Sequence, residues 1–292
     1  MDPTPHRGDS PSAAAPSPRF SLQPSRLPLE DILFCVDVDL ETRSEMRIAP
    51  GPAPSTPAAA ASPGAAGASS GVAAAARQGR PPVKRMDAVK QALLLFVHSK
   101  LTMCPDHRFA FASLAETVSL VKKDFSSDAS SAVEAIQSLN ASETRFAMAD
   151  LTQLFKIAYQ EGKRAELQGR LLRVILIYCR SSTKPQHQWP IKQKNFTLDI
   201  VYLHDKPTAD NCPQKVYDAL VDALEHVSQY EGYILETGQG LARILFRQTC
   251  VLLSHPLQRC MQDDLDIPKP LAKKTLAAEA AQNEDGVPVS TQ

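Results

Sequence analysis

Three acidic residues spaced two apart, Asp37, Asp39 and Glu41 in "ILFCVDVDLE" (32–41), are the group best placed to do chemistry in this chain. They close an apolar run that reads as a buried strand. Carboxylates at the carboxyl end of a strand are a common way to hold a divalent cation. Mg²⁺ asks for near-octahedral oxygen ligands drawn from several loops, so the trio would need partners from elsewhere. The plainer alternative is that Asp37 caps a neighbouring helix or loop while Asp39 and Glu41 face solvent.

Other reactive patterns are missing. The chain has no Gly-x-Ser-x-Gly elbow, no Gly-x-x-x-x-Gly-Lys-Ser/Thr phosphate loop and no His-x-His pair. His98 falls on a predicted helix and His204 at a strand end, as structural or surface histidines do. Cys35 and Cys179 lie in apolar strands, where a thiolate is disfavoured. With no nucleophile–base pair, the chain is not expected to be an enzyme or to carry a cofactor. The single tryptophan, Trp189 in "KPQHQWP", marks either a contact surface or loop packing. Lys122-Lys123 and Lys163-Arg164 read as solvated element ends.

Composition sets the class. Formal net charge is zero, with 32 basic against 32 acidic residues. Nucleic-acid and membrane-surface binders favour a basic excess, so neither partner is expected. No apolar run reaches the roughly 20 residues of a membrane span, and the first residues lack the apolar core of a secretory signal. The six cysteines form no Cys-x-x-Cys and read as free thiols in a reducing compartment. A soluble intracellular protein is expected.

Three regions follow from the distribution of proline, alanine and serine. Of 23 prolines, 14 lie in the first 85 residues. Residues 1–30 have too few large apolar groups to offset the entropy of ordering and are expected to be disordered. Residues 31–254 form the domain, with a low-complexity insertion at 48–82. Residues 255–292 form a C-terminal segment, polar and mostly disordered beyond Cys260.

Inside the domain the apolar period alternates between helical and strand-like. A helix over 86–100 puts Val89, Leu93, Phe96, Val97 and Leu101 on one face. Two short strands follow, near 107–113 and 116–122. A capped helix carries Val133, Ile136 and Leu139. The next helix has Met148, Leu151, Leu154, Phe155 and Ala158 in register, with Gly162 as its stop. "LLRVILIYCR" and "FTLDIVYLHD" are continuous apolar runs, as in central strands covered on both faces. A helix opening on Pro213 turns Val216, Leu220, Leu224 and Val227 inward. "EGYILETG" is an edge strand, and the last helix ends before Pro256. Alternating strands and helices predict an α/β three-layer sandwich with a mainly parallel sheet. Any site is expected at the strands' carboxyl ends.

This element order resembles a von Willebrand factor A domain. Such domains carry a metal site built from Asp-x-Ser-x-Ser after the first strand, a Thr on a later loop and an Asp after a central strand. Here the first motif reads Asp37-Val38-Asp39-Leu40-Glu41, without either Ser. Thr144 stands for the Thr. "VILIYCR" ends in Cys179-Arg180 where the Asp should be, so the site loses a ligand and gains a positive charge. The resemblance therefore implies a degenerate site of Asp37, Asp39, Glu41 and Thr144, with a metal-dependent ligand-binding domain as the alternative.

"LLSHPLQRC" (252–260) narrows the resemblance. After such a domain it resembles the von Willebrand factor A-type subunit of the BRISC deubiquitinase, a subunit shared with the related nuclear BRCA-A complex. The resemblance spans about 30–260. It implies a non-catalytic subunit, in nucleus and cytoplasm, that acts in DNA-damage signalling. Its implied partners are a ubiquitin-E2-variant-like scaffold subunit and a zinc metalloprotease subunit that cleaves non-degradative polyubiquitin. The implied docking element is His255, Pro256, Leu257, Gln258 and Arg259. Pro256 presets an extended backbone, Leu257 supplies an apolar anchor, and Arg259 offers a forked donor. The alternative is an ordinary helix terminator with a basic residue near the dipole's negative end.

Overall fold

The structure, a computed structural model, describes residues 27–46, 82–190, 194–237 and 242–265. The disorder expected of the N-terminus, the insertion and the tail falls almost wholly outside the described residues. Where those segments are described they are ordered. Leu29 and Glu30 belong to the first strand, and Gln262 exchanges hydrogen bonds with Ile234 at the sheet edge.

In chain order the elements are β1 (Leu29–Asp37), β2 (Glu45–Met46), β3 (Val83–Lys84), α1 (Arg85–Met103), β4 (Arg108–Leu114), β5 (Val118–Ser126) and α2 (Ala129–Ser138). After them come β6 (Ala149–Asp150), α3 (Thr152–Leu167), β7 (Arg170–Tyr178), β8 (Pro185–Gln186), β9 (Thr197–Leu203), α4 (Pro213–Val227), β10 (Ile234–Thr237) and α5 (Ala242–Val251). Six strands form the main sheet in the order β10-β9-β7-β1-β4-β5. All its pairings are parallel except β4 with β5, which turns back as the predicted hairpin. The expected three-layer α/β sandwich, a mainly parallel sheet with helices on both faces, is realised.

Side chains alternate across a strand, so β1 feeds two cores. Ile32, Phe34 and Val36 pack with α1, α2 and α5, while Leu33 and Cys35 pack with α3 and α4. Phe34 meets Phe96 edge-on at 5.3 Å and stacks with Phe111 at 5.5 Å. Each such buried side chain contributes roughly 1.5–3 kcal/mol. With apolar residues on both faces, β1 can only be central, which explains the continuous apolar run. Asp128 caps α2, its carboxylate accepting from the Ser130 and Ser131 amides at 3.3 and 2.8 Å.

Three local expectations are corrected. The α3 helix starts at Thr152, so Met148 is outside it and 42% exposed. Nor does Gly162 stop it. The glycine lies inside the helix because an added Cβ would sit 2.6 Å from the Asn195 carbonyl oxygen. The stop is Gly169, left-handed at φ 66°. The last helix, α5, ends at Val251, before Pro256 as expected, and the chain reaches the proline through a turn. On α2 the inward face is Ala132, Ala135 and Ile136, with Val133 half-buried.

Gly162→Ala should therefore destabilise the fold by about 1–3 kcal/mol through overpacking. Gly169→Ala should cost about 1–2 kcal/mol through its left-handed backbone alone. Urea denaturation reads both.

Candidate functional site

Strand register brings the acidic trio together with the end of β7. Asp37 pairs with Leu114 on one side, and Val36 pairs with Ile177 on the other, so Cys179 and Arg180 leave β7 directly beside Asp37. Arg180 then turns inward. Its Nε lies 3.1 and 3.2 Å from the two Asp37 carboxylate oxygens, and its Nη2 lies 3.1 Å from Oδ1. The remaining guanidinium protons reach the Met148 carbonyl at 2.5 Å and the Ala115 carbonyl. Both side chains are fully buried.

The other acids are bound in turn. Asp37 also accepts from the Asp39 and Cys179 amides, each at 3.1 Å. Asp39 accepts from the Glu41 amide at 3.0 Å and from the Phe146 amide at 2.7 Å. Glu41 Oε2 accepts from the Ser181 amide at 2.9 Å and its hydroxyl at 2.7 Å. Arg85 closes the ring with bonds to the Glu41 and Cys179 carbonyls at 3.2 and 3.1 Å and to Asp205 at 2.8 Å. Asp39 and Glu41 are thus buried, which corrects the alternative that placed them in solvent. Thr144 is not brought to the group; it is exposed and bonds Ser142.

This donor set does not fit a divalent cation. Both oxygens of Asp37 and of Asp39 already accept hydrogen bonds, and a guanidinium stands against Asp37. Among the described residues no three His, Cys, Asp or Glu side chains converge as a metal would require. Burial pushes the Asp37 carboxyl above its ordinary value, while Arg180 and the two amides pull it back. Burial works against the Arg180 cation too, and Asp37 outweighs it, raising the arginine's pKa. Burial raises the Cys35 and Cys179 thiols far above the usual range, so both are inert.

The C-terminal motif lies at the opposite end of the sheet, and its residues divide. His255 is buried; its Nε2 donates to the Pro28 carbonyl at 3.0 Å and its Nδ1 accepts from the Leu257 amide at 3.2 Å. Pro256 is buried. Arg259 finds its carboxylate within the chain, forking onto Asp199 at 2.6 and 3.0 Å with its guanidinium 4.5 Å over the Tyr233 ring. Leu257, 43% exposed, and Gln258 point outward.

Beneath the motif runs a buried ionic chain that sequence reasoning did not find. Arg173 bonds Asp199 at 2.6 Å and Glu30 at 3.3 Å, and Glu30 holds Lys100. Burial disfavours the Asp199 carboxylate, but Arg173 and Arg259 outweigh it and hold its pKa below the usual range. The signal was present: Arg173 and Asp199 are lone charges inside apolar strands, and such charges must be paired. Trp189 packs half-buried against Tyr159 at 5.6 Å. His204 is buried against Tyr202, and His98 is exposed on α1.

No family model and no curated protein sequence matches the chain. Similar solved structures include the VWA domain of SpRpn10, with 13% identity and a TM-score of 0.43 over 75% of this chain and 95% of that one. The von Willebrand factor type A structure from Catenulispora acidiphila has 14% identity and a TM-score of 0.42, over 77% of this chain and 42% of that one. The PilB minor pilin from Streptococcus sanguinis has 7% identity and a TM-score of 0.47, over 80% of this chain and 62% of that one.

Two outcomes follow from the Arg180 pair. Isothermal titration of the wild type with Mg²⁺ or Mn²⁺ should give no heat above dilution; saturable heat would contradict the geometry. Arg180→Ala should cost about 3–5 kcal/mol at pH 7, because it leaves Asp37 buried and unpaired. A carboxyl whose folded pKa is raised regains stability as pH falls, so denaturation at lower pH should show a smaller loss.

The motif should also divide in stability measurements. Arg259→Ala should cost about 3–5 kcal/mol by uncovering Asp199. Leu257→Ala should stay within about 0.5 kcal/mol, as exposed substitutions do.

Proposed function

We propose that the chain is a non-catalytic assembly subunit of a deubiquitinase complex that trims non-degradative polyubiquitin. It would act in DNA-damage signalling in the nucleus and in ubiquitin editing in the cytoplasm. The observation that carries this reading is the mounting of the turn at 255–259. His255 and Arg259 clamp it to the sheet from either end, and Leu257 and Gln258 are held outward between them. A pre-ordered turn loses little entropy when a partner closes on it, and one apolar anchor flanked by an amide suits a protein contact. Arg180 supports the same reading: with the guanidinium against Asp37, a ligand bridged through a metal has no place at the strand ends.

Affinity purification of the tagged full chain tests the proposal. The ubiquitin-E2-variant-like scaffold subunit and the zinc metalloprotease subunit should both be recovered. Leu257→Asp should reduce that recovery at least about tenfold, as losing an interface anchor does, while leaving thermal stability unchanged. Recovery of neither subunit by the wild type would overturn the reading.

A further inference from the structure

The turn at 255–259 is held at its first residue by an imidazole, and the two partners of that ring fix its state. The Pro28 carbonyl can only accept, so His255 Nε2 carries a proton and donates to it at 3.0 Å. The Leu257 amide can only donate, so Nδ1 carries none and accepts from it at 3.2 Å. His255 is therefore neutral, and its bare nitrogen caps the short helical turn over Pro256–Gln258. The residue is 7% exposed, which leaves water little room to replace either bond.

The surroundings oppose a second proton on this ring. The charged groups about it are Glu30 on β1, Lys100 on α1 and Arg173 on β7, and His107 lines the same cleft. Glu30 is already held by Lys100 and Arg173. Further along the same edge, Asp31 is held by Arg108 and Arg170, and Asp199 by Arg173 and Arg259. Burial keeps the His255 pKa below its ordinary value; Lys100 and Arg173 add to this, and the pull of Glu30 and of the Pro28 carbonyl does not overcome it. A proton on Nδ1 would set one N–H against another. The ring would have to turn away, and its bond to Pro28 would go with it. His107 differs: its Nδ1 accepts from the Glu30 amide at 3.1 Å, but its Nε2 lies 3.8 Å from the Glu30 carboxylate, which would receive the new charge.

We propose that His255 is a proton-operated latch on this turn: a proton on its Nδ1 frees the Leu257 amide and opens the turn at its first residue. The far end stays fixed, because Asp199 remains ionised and keeps Arg259. Leu257 and Gln258 then lose the outward pose that the closed turn gives them. A histidine whose folded pKa lies below its unfolded one stabilises fully above about pH 6.5, and that contribution is lost as pH falls through the folded pKa. The latch is therefore closed at neutral pH and opens in acid. That the turn docks a partner rests on the assembly reading above; that acid opens it does not.

Amide hydrogen exchange of the full chain, followed by NMR from about pH 7.5 to about pH 4.5, tests the latch between its neutral and protonated forms. Corrected for the intrinsic rate, the Leu257 amide should lose about tenfold in protection, as loss of one hydrogen bond does, in step with the His255 ring resonances. The Ile234 amide, bonded by Gln262, should keep its protection, which marks the opening as local. In His255→Asn the side-chain oxygen can cap the Leu257 amide without titrating, so the pH response should vanish. Should that variant not fold, the imidazole nitrogen shifts of the wild type decide: at neutral pH they should report Nε2 protonated and Nδ1 bare. Unchanged Leu257 protection, a response that persists in His255→Asn, parallel loss at Ile234, or a protonated Nδ1 at neutral pH would each overturn the proposal. Recovery of the scaffold subunit separates the two readings. If wild type recovers it at pH 7.5 and loses it over the interval in which Leu257 opens, both stand; if nothing is recovered at pH 7.5 while Leu257 still opens, the assembly reading falls and the latch stands.

Discussion

A carboxylate sealed at the end of the central strand must meet a cation, and in this chain the cation is a side chain. Asp37 stands where β1 leaves the sheet, between β4 and β7, with no path to water. Arg180 supplies the charge and, through the same guanidinium, ties the carbonyls of Ala115 and Met148 to the strand end. Three loops are thereby fixed to one another by one planar group. The bonds of Asp39 to the Phe146 amide and of Glu41 to Ser181 lie beside the segments that Arg180 ties down. A divalent ion in that position would have joined the same loops. The arginine does so with directional hydrogen bonds in place of an ion's spherical field.

The two ends of the sheet settle their buried charge differently. At the carboxyl edge the buried acids are Asp37, Asp39 and Glu41, against Arg85 and Arg180. Backbone amides of Cys179, Phe146 and Ser181 make up the difference there. At the amino edge Glu30, Asp31 and Asp199 are held by side-chain cations instead, each by at least two of them.

Much of this was legible in the residues. Strand and helix periods located the main elements and their layering, because burial on both faces leaves an unbroken apolar run and one-faced burial leaves a stripe. Cys179-Arg180 in place of an Asp pointed to the altered site, since a positive charge there could only compete with a cation. The rest depended on contacts distant in sequence. Nothing local to Gly162 shows that Asn195 lies against it. Arg259 looked like a free donor because its acceptor, Asp199, is far off in the chain. Asp39 and Glu41 looked like solvent-facing acids because the amides that hold them belong to Phe146 and Ser181.

The strap formed by Arg259 also constrains how the protein can be made. Asp199 sits near the start of β9, one strand in from the β10 edge, and one of its two guanidinium partners lies 60 residues further along the chain. While synthesis proceeds from the amino end, the sheet can assemble before that partner has left the ribosome. Until it does, Asp199 has Arg173 alone, and the edge beside β10 lacks the bonds that Gln262 later gives Ile234. The nascent domain therefore reaches its full cooperativity only once residues 259–262 have emerged. A chain released before residue 262 would carry a sheet with its edge open to pairing with other chains.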